Sequence, residues 1–361
     1  MEPSFWKSKR VLVTGNTGFK GSWLSLWLHD LGANVRGYSL SAVPTSPSLF
    51  QEARIGDDIP TTAHDIRDFD NLYRTIKEFR PEIIFHMAAQ PLVRLSYIQP
   101  VETYSTNVMG TVHLFEAVRR VGGVKAVINI TSDKCYENRE WIWGYREDES
   151  LGGHDPYSNS KGCAELVTSS YRNSFFSPER YAEHECAIAS VRAGNVIGGG
   201  DWAQDRLIPD ILSAFAEKSE VSIRNPNAIR PWQHVLEPLS GYIRLAELLY
   251  EKGSEFAEAW NFGPKDDDAR PVKFLIERLA DLWEGDVRWR IHEDAQYHEA
   301  HHLKLDCSKA KSRLGWQPIW DLDTTLGKII QWYKAWLNHE DMKQYTLNEI
   351  REYIAAIKKV R

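Results

Sequence analysis

The sequence predicts an α/β fold, in which a doubly wound parallel sheet is followed by a smaller, irregular lobe. Three observations predict it. Short apolar strands alternate with helical segments over the first half of the chain, which is typical of βαβ units. A glycine-rich turn joins the first strand to the first helix. The chain has 361 residues, more than the roughly 250–300 at which a single core stops growing, so two lobes are expected.

The first half of the chain is predicted to build the sheet, because its apolar runs have the length of buried strands. Residues 41–60 are rich in Pro and Ser and are predicted to form a loop. The predicted strands are 10–14, 34–40, 83–85, 124–130 and 187–191, and the predicted helices between them are 19–31, 68–79, 100–121 and 157–176.

The regular alternation ends after Arg192. Short helices are predicted there among segments rich in Gly, Asp and Trp, at 207–216, 236–250, 272–282 and 326–337, with a surface helix at 348–361. We therefore expect a first domain at residues 1–191 and a second lobe at 192–361, with some segments of the second half returning to the first domain.

Composition excludes several classes of protein. Lys and Arg total 44 against 50 for Asp and Glu, giving a net charge of −6, so there is no basic excess for binding nucleic acid. No apolar run is long enough for a membrane span, and the first residues lack the apolar segment of a secretory signal. The four cysteines are scattered, without a CxxC pair, as expected for reduced thiols. Together these features predict a cytoplasmic protein that binds neither nucleic acid nor a membrane.

The glycine-rich turn has the spacing GxxGxxG. Glycines let backbone amides approach a diphosphate at the N-terminus of the following helix. A tight turn without a ligand would have similar residues, but the position at the first strand–helix junction favours a dinucleotide site. The predicted contacts to the cofactor are Gly15, Thr17, Gly18, Phe19, Lys20 and Gly21.

The second strand does not identify the dinucleotide. An Asp or Glu near its end would bind the ribose hydroxyls of NAD, but residues 35–40 contain no acid. Arg36 would suit the 2′-phosphate of NADP, or it simply faces solvent. The choice between NAD and NADP stays open from these residues.

Tyr157 and Lys161 are four residues apart and therefore share one face of a helix. A neighbouring cation favours the phenolate and lowers the pKa of a tyrosine from its usual value of about 10. Such a tyrosine can exchange a proton with a substrate hydroxyl while a hydride passes to a nicotinamide. The YxxxK pattern is common by chance, and its value here is its place at the start of the helix after strand 124–130.

These motifs together resemble the extended short-chain dehydrogenase/reductase family over nearly the whole chain. The resemblance implies a Rossmann-type first domain, a nucleotide-sugar substrate bound under the second lobe, and a homodimer or homotetramer. The residues that carry it are Gly15, Gly18 and Gly21, the segment 86–89, Asn107, Tyr157 and Lys161, the segment 192–195, and the segment 230–232.

Within this family, the segment 131–136 resembles the part of nucleoside-diphosphate-glucose 4,6-dehydratases that carries a hydroxyl residue, an acid and a base. Here these are Ser132, Asp133 and Lys134, whereas the thymidine-nucleotide enzymes have Thr, Asp and Glu. This departure, with the stretch 192–202, resembles the dehydratases that act on CDP-glucose, a group whose cofactor is NAD. The alternative is that Asp133 and Lys134 form an ordinary turn after a strand.

The implied chemistry needs two proton-transfer groups with different roles. Oxidation of C4 of the sugar to a ketone acidifies the C5 proton. We expect Lys134 to remove that proton and Asp133 to protonate the departing C6 hydroxyl, after which the hydride returns to C6. Each such partner is typically worth about 10²–10⁴ in rate.

Further residues are implied to touch the cofactor or the substrate, each with a plainer alternative. Asp65 would contact adenine or cap a helix. Ala88 is small, so the ribose of the cofactor would pass close to it, or it simply packs against its neighbours. An exposed arginine is usually only solvated. The implied cofactor residues are Asp65, Ile66, Ala88, Ala89, Gln90, Asn107 and Thr131, and the implied substrate residues are Asn195, Arg206, Leu207 and Arg230. No metal site is expected, because His301 and His302 have no Cys, His or Asp cluster around them.

Three other functions compete with this interpretation. Another nucleotide-sugar 4,6-dehydratase would share all the motifs. A nucleotide-sugar 4-epimerase would share Tyr157 and Lys161 but has no need of an Asp133–Lys134 pair. A non-catalytic dinucleotide sensor has no reason to keep Tyr157 and Lys161, which disfavours it.

Overall fold

The computed structural model describes residues 3–223, 225–285, 288–291 and 303–360. The two histidines considered above as metal ligands, His301 and His302, lie outside these residues. The strands are β1 (Arg10–Thr14), β2 (Asn34–Ser39), β3 (Thr61–Ala63), β4 (Ile83–His86), β5 (Ala126–Ile130), β6 (Ala187–Arg192), β7 (Val196–Ile197), β8 (Glu220–Ile223), β9 (Ile229–Pro231), β10 (Gln233–His234), β11 (Ala259–Asn261), β12 (Ala269–Pro271) and β13 (Arg288–Ile291).

The helices cover both faces of the sheet and fill the second lobe. They are α1 (Pro3–Trp6), α2 (Phe19–Asp30), α3 (Leu49–Glu52), α4 (Phe69–Phe79), α5 (Val93–Ile98), α6 (Pro100–Tyr104), α7 (Gly110–Val121), α8 (Pro156–Ser174), α9 (Tyr181–His184), α10 (Leu207–Glu217), α11 (Leu236–Lys252), α12 (Val272–Trp283), α13 (Leu322–Leu337) and α14 (Met342–Val360).

Seven parallel strands form the main sheet in the order β11-β6-β5-β4-β1-β2-β3. The chain runs outward from β1 to β3 and then resumes on the other side of β1 at β4, so the strand order reverses between β1 and β4. Ligands of such sheets bind at that crevice. The prediction of a doubly wound parallel sheet is confirmed. The seventh strand, β11, comes from the second half of the chain and pairs with β6.

Both faces of the sheet are buried, which explains why its strands are continuously apolar. In β1, Val11 and Val13 belong to the core that includes α2 and α11, whereas Leu12 belongs to the core that includes α4 and α7. Alternate residues therefore serve opposite helix layers.

Three of the differences between the structure and the predicted elements concern predicted helices and the predicted loop. The predicted helix 100–121 is broken into α6 and α7 by a π-helical turn, Ser105–Met109, and such turns often mark functional sites. The predicted loop 41–60 contains α3, whose N-terminus is capped by Ser48. The tail helix begins at Met342, earlier than predicted.

The second lobe has an apolar core of its own, as predicted for a smaller and less regular unit. It packs α10, α12 and α13 against β8, around Ile211, Leu275 and Leu326. Among the described residues, no helix is both long enough and apolar enough to cross a membrane.

Candidate active site

The candidate site lies where β1, β4 and β5 end at the carboxyl edge of the sheet. Three segments meet there: the glycine turn after β1, the residues after β5, which we name the 131–136 turn, and the first turns of α8. The crevice at the strand reversal brings together groups that are more than one hundred residues apart in the chain.

The glycine turn is packed too closely for side chains. A Cβ on Gly21 would lie 2.1 Å from the carbonyl oxygen of Gly15, and one on Gly15 would lie 2.7 Å from the amide nitrogen of Ala88. Gly15 also has a positive φ of 73°. Gly18 occupies the N-cap position of α2, and no side chain caps that helix N-terminus. This bare, narrow turn fits the diphosphate of a dinucleotide, since first-turn amides attract anions.

Asn16 holds the turn in place, a role that the sequence did not reveal. Its amide donates to Thr61 at 2.8 Å and accepts from Ser39 at 2.9 Å, which ties the turn to the ends of β3 and β2. A Cβ on Gly37 would lie 2.2 Å from the Asn16 amide, so Gly37 makes room for it.

Three residues considered for the adenosine half of the cofactor have partners within the protein. Asp65 receives Arg67 through two side-chain contacts of 2.9 and 2.5 Å, and this guanidinium lowers the pKa of Asp65. Asp65 does not cap α4, because Asp68 does so. Ile66 is buried against Gly110. Arg36 lies over the ring of Phe79, with 4.6 Å between its guanidinium carbon and the ring centroid.

The segment after β4 is fixed by an exchange of hydrogen bonds. The backbone amide of Gln90 donates to Asn107 Oδ1 at 2.8 Å. In return, Asn107 Nδ2 donates to the backbone carbonyl of Gln90 at 3.1 Å and to Ser160 Oγ at 2.8 Å. The π-helical turn directs Asn107 inward and thereby joins this segment to α8. The same segment places Ala88 against Gly15, and Ala89 follows it directly.

The 131–136 turn carries the predicted hydroxyl, acid and base. Ser132 Oγ accepts from the Lys134 amide at 3.2 Å and donates to Asp133 Oδ1 at 3.0 Å. Asp133 is 2% exposed, and its Oδ2 has no hydrogen-bond partner among the described residues. A buried carboxyl oxygen without a partner is costly, so a partner supplied by a ligand would offset that cost.

Gly194 makes room for this carboxylate. A Cβ at position 194 would lie 1.7 Å from Asp133 Oδ2, so only glycine is compatible with the position of Asp133. Gly194 belongs to the segment 192–195 that carries the family resemblance, but no local pattern indicates that it makes room for Asp133.

Tyr157 and Lys161 project from α8, whose N-terminus is capped by Asp155. Ser132 hydrogen-bonds the Tyr157 phenol, and the backbone amide of Tyr157 donates to Ser96 at 3.1 Å. Lys161 Nζ donates to the carbonyl of Ile130 at 3.2 Å. The structure thus brings the predicted proton-exchange pair beside the 131–136 turn.

The expected direction of the pKa shift on Tyr157 was wrong for the protein alone. Burial raises the pKa of Tyr157 to about 12, and the opposing effects of Ser132 and Arg206 do not overcome burial. Burial also lowers the pKa of Lys161 to about 8, although the charge of Glu165 opposes that shift. Spacing on a helix places two groups together but does not reveal how far both are removed from water.

Lys20 extends from the glycine turn toward the same groups. Burial and the charges of Lys161 and Arg206 lower the pKa of Lys20 to about 7, whereas Asp133 raises it. Arg206 is held by Asp201 at 2.9 Å and also acts on Tyr157. Three basic side chains, Lys20, Lys161 and Arg206, therefore face one crevice, and an anionic ligand that carries phosphates would favour their charged forms.

The remaining predicted substrate residues lie on the second lobe's side. Asn195 has a positive φ of 47°, Leu207 begins α10, and Arg230 lies opposite Arg270 in the pairing of β9 with β12. The other predicted cofactor residues, Thr17 and Phe19, lie in the glycine turn. The described residues contain no group of three or more His, Cys, Asp or Glu side chains that could hold a metal ion.

Sequence reasoning also missed Glu165. It lies four residues after Lys161, on the same face of α8, and accepts a hydrogen bond from Thr131 at 2.5 Å. The continued spacing of four was the signal that could have found it.

Comparison with known proteins agrees with this geometry. The family model described as GDP-mannose 4,6 dehydratase matches residues 12–329. The CDP-glucose 4,6-dehydratase of Salmonella typhimurium is 62% identical over 356 residues, covering 99% of this chain and 99% of that protein. Among solved structures, MoeE5 in complex with UDP-glucose and NAD has a TM-score of 0.75 at 25% identity, covering 91% of this chain and 99% of MoeE5. The dTDP-glucose 4,6-dehydratase of Bacillus anthracis, at 20% identity and a TM-score of 0.72, covers 91% of this chain and 97% of its own and shares the fold.

Proposed function

The chain belongs to the GDP-mannose 4,6-dehydratase family, within the extended short-chain dehydrogenases/reductases, and on that premise we propose that it converts CDP-D-glucose to CDP-4-keto-6-deoxy-D-glucose and water. The observation that carries the proposal is the 62% identity to a CDP-glucose 4,6-dehydratase, which spans both chains almost end to end. The enzyme is then a hydro-lyase that regenerates its own cofactor.

The cofactor is NAD. The relative MoeE5 binds NAD on the same fold, and the bare turn at residues 15–21 fits a dinucleotide diphosphate. Arg36 is stacked on Phe79, in the middle of β2 and away from the end of the strand where a 2′-phosphate would be bound. When bound, NAD supplies a positively charged hydride acceptor for C4 of the sugar and later the hydride for C6.

We assign the C4 oxidation to Tyr157 and Lys161. Tyr157, as the phenolate, receives the proton of the C4 hydroxyl, and formation of the phenolate requires its pKa to fall from about 12 in the protein alone. Ser132 and Arg206 act in that direction, the first by a hydrogen bond and the second by its charge. Lys161, held on the Ile130 carbonyl, supplies a further cation next to this centre.

We assign the loss of water to Asp133 and Lys134. Lys134 takes the C5 proton, the C6–O bond breaks, and Asp133 protonates the departing oxygen, so that water leaves and a C5=C6 double bond forms. Hydride addition at C6 and protonation at C5 then complete the product without net oxidation. The unpartnered Oδ2 of Asp133 and its neighbour Ser132 support this assignment, because one carboxyl oxygen is left for the substrate.

The test is incubation of the NAD-loaded protein with CDP-, UDP-, dTDP- and GDP-glucose. We expect a 4-keto-6-deoxy product from CDP-glucose at a kcat/KM at least about tenfold above the others, detected by the absorbance of the ketone in alkali. A 4-epimerase would yield a galactose nucleotide and no ketone, and a dinucleotide sensor would yield neither. Either result would refute the proposal.

Lys134→Ala tests the assignment of the base. It should leave C4 oxidation intact but lower the loss of water about 10²–10⁴-fold, because only the group at C5 is removed. Reduced cofactor formed in a single turnover should then accumulate and absorb at its characteristic wavelength. Lys77→Ala, on the exposed face of α4, is the matched control and should behave as wild type. Normal turnover by Lys134→Ala would assign the base elsewhere.

We also propose a cytoplasmic enzyme that forms a homodimer or homotetramer. The four free thiols Cys135, Cys163, Cys186 and Cys307 support a reducing compartment, and the oligomer is what the family implies. Sedimentation equilibrium of the holoenzyme measures the oligomeric state, and a monomer at micromolar concentration would contradict it.

A further inference from the structure

Beneath the 131–136 turn lies a buried ion pair that the proposed mechanism does not use. Glu165 is on α8, one helical turn after Lys161, and Arg192 ends β6; both side chains are 3% exposed. Arg192 donates from Nε to Glu165 Oε1 at 3.0 Å and from Nη2 to Oε2 at 2.9 Å. Two parallel contacts of this kind fix the orientation of both groups.

The pair reaches both ends of the 131–136 turn. At the first end, Thr131 Oγ1 donates to Glu165 Oε1 at 2.5 Å. At the other end, Arg192 Nη1 donates to the Tyr136 hydroxyl at 2.7 Å. We name these four residues the tether. Ser132, Asp133 and Lys134 lie between its two attachment points, and its carboxylate comes from the helix that carries Tyr157 and Lys161.

Stability alone is a weak reason for charges in this position. Removing a charge from water carries a large free-energy cost, and the pair contains two such charges. A protein in which apolar side chains of similar size replace such a pair is often equally stable. Apolar side chains, however, cannot hold two hydroxyl groups by directional hydrogen bonds. A displacement of reacting groups by about 1 Å can cost about 10² in rate.

We propose that Glu165 and Arg192 are positioning residues that hold the 131–136 turn at a fixed position relative to α8, the helix that carries Tyr157 and Lys161. The inference rests on the proposed dehydratase function and extends it. The tether fixes the distance between the groups that serve C4 and the groups that serve C5 and C6. One bound sugar can then pass through both stages without moving.

Glu165 has a second, electrostatic effect on Lys161. Its carboxylate raises the pKa of Lys161 against the effect of burial, and the Cys135 thiol acts in the same direction. Burial lowers the pKa of Lys20 and of His86, which face Lys161 from the glycine turn and from β4, and the charge of Lys161 lowers both further. We therefore expect removal of the Glu165 charge to lower the pKa of Lys161 further.

Two small variants cut the tether without removing the ion pair. Thr131→Val and Tyr136→Phe each delete one hydroxyl at one end of the turn. We expect each to lower kcat for CDP-glucose about tenfold or more, with KM within about threefold of wild type, because binding groups stay in place while reacting groups shift. Thr131 was implied to touch the cofactor, but both contacts of its hydroxyl are internal, to Glu165 and to the Val191 carbonyl. The dissociation constant for NAD should therefore stay within about twofold for Thr131→Val.

Ser190→Ala is the matched control. Ser190 donates to the same carboxylate at 2.6 Å, but it lies on β6 and outside the tether. We expect Ser190→Ala to lower the unfolding midpoint about as much as the two tether variants do, but to keep a kcat within about twofold of wild type. The inference is overturned if the two tether variants keep the wild-type kcat, or if Ser190→Ala loses as much kcat as they do.

A readout independent of turnover uses Glu165→Gln with ¹³C-labelled lysine. NMR titration of the holoenzyme should show the pKa of Lys161 lowered relative to wild type, because the carboxylate that favours the ammonium is gone. An unchanged Lys161 titration would overturn the electrostatic part of the inference. If wild type itself does not convert CDP-glucose, the proposed function fails, whereas this titration still decides whether Glu165 controls Lys161.

Discussion

Two buried glutamates on long helices have pKa values that are shifted in opposite directions. Glu165, on α8, is bound by Arg192, and this cation lowers its pKa despite complete burial. Glu237, on α11, accepts from the backbone amides of Ile319 and Trp320 at 2.9 and 2.7 Å, and burial raises its pKa to about 7. Burial alone favours the neutral carboxyl, and for Glu165 the charge of Arg192, together with hydrogen bonds from Arg192, Ser190 and Thr131, reverses that direction.

The two carboxyl groups also serve different parts of the molecule. Glu165 lies beneath the reacting groups. Glu237 accepts from the Tyr353 hydroxyl of α14 at 2.6 Å and holds the loop before α13, and we name Glu237, Ile319, Trp320 and Tyr353 the C-terminal clamp. The comparison teaches that an ion pair fixes the orientation of groups beside the reacting residues, whereas a hydrogen-bonded carboxyl with a raised pKa holds two chain segments together.

The largest expected effect comes from a pair of glycines in the segment after β6. Gly194→Ala would place a Cβ 1.7 Å from Asp133 Oδ2, and Gly199→Ala would place one 2.1 Å from the ring of Trp332, which bonds Thr346 of α14. We expect Gly194→Ala to lower kcat about 10²–10⁴-fold by displacing the acid. Gly199→Ala should instead lower stability by about 1–3 kcal/mol and leave the kcat of folded protein within about twofold.

Steady-state kinetics measures kcat and urea unfolding measures stability for both the Gly194→Ala and the Gly199→Ala variant. Full activity of Gly194→Ala would show that the Asp133 carboxylate does not need its present position.

Arg192→Met should cost about 3–5 kcal/mol of stability, because it leaves Glu165 buried without a cation. The double variant Glu165→Leu with Arg192→Met should recover most of that stability while kcat stays low, since the tether is gone. Urea unfolding and turnover measure the two quantities. Recovery of kcat together with stability would mean that the pair serves stability alone.

The pH dependence of stability should follow Glu237. Its pKa is about 7 in the folded protein against 4.5 ordinarily, so between these values the folded state binds more protons than the unfolded state. The free energy of unfolding should therefore fall as pH rises from about 4.5 to about 7, by up to about 3 kcal/mol from this group. Glu165 has the opposite sign, because its pKa is lowered: its contribution is present above pH 4.5 and is lost on acidification.

Urea unfolding at pH 5, 6, 7 and 8 measures this slope. Glu237→Gln should flatten it, and the same slope in that variant would assign the pH dependence to other groups.

The smallest expected effect is that of Tyr353→Phe, which deletes the hydroxyl that donates to Glu237. We expect a loss of about 1 kcal/mol in stability and an unchanged kcat. Tyr136→Phe removes one hydroxyl from the tether and should lower kcat instead. Equal effects of the two variants on turnover would remove the distinction between the tether and the C-terminal clamp.

Much of the fold and of the site could be predicted from local patterns. Continuous apolar strands and the glycine turn predicted the doubly wound sheet, because burial on both faces and a close approach of backbones leave direct marks in the sequence. The segment 131–134 and the Tyr157–Lys161 spacing identified groups that the structure brings side by side. The π-helical turn at 105–109 and strand β11 were not predicted, since both depend on contacts with distant residues.

The sequence by itself determined which chemical groups are present and on which elements they lie, because motif spacing and strand periodicity are local properties. Only the tertiary structure decided their electrostatic state and their register. The raised pKa of Tyr157, the unpartnered oxygen of Asp133 beside Gly194, and the Glu165–Arg192 pair all arise from burial among segments far apart in the chain. Desolvation and directional hydrogen bonds depend on the complete three-dimensional surroundings of a group, which no window of the sequence contains.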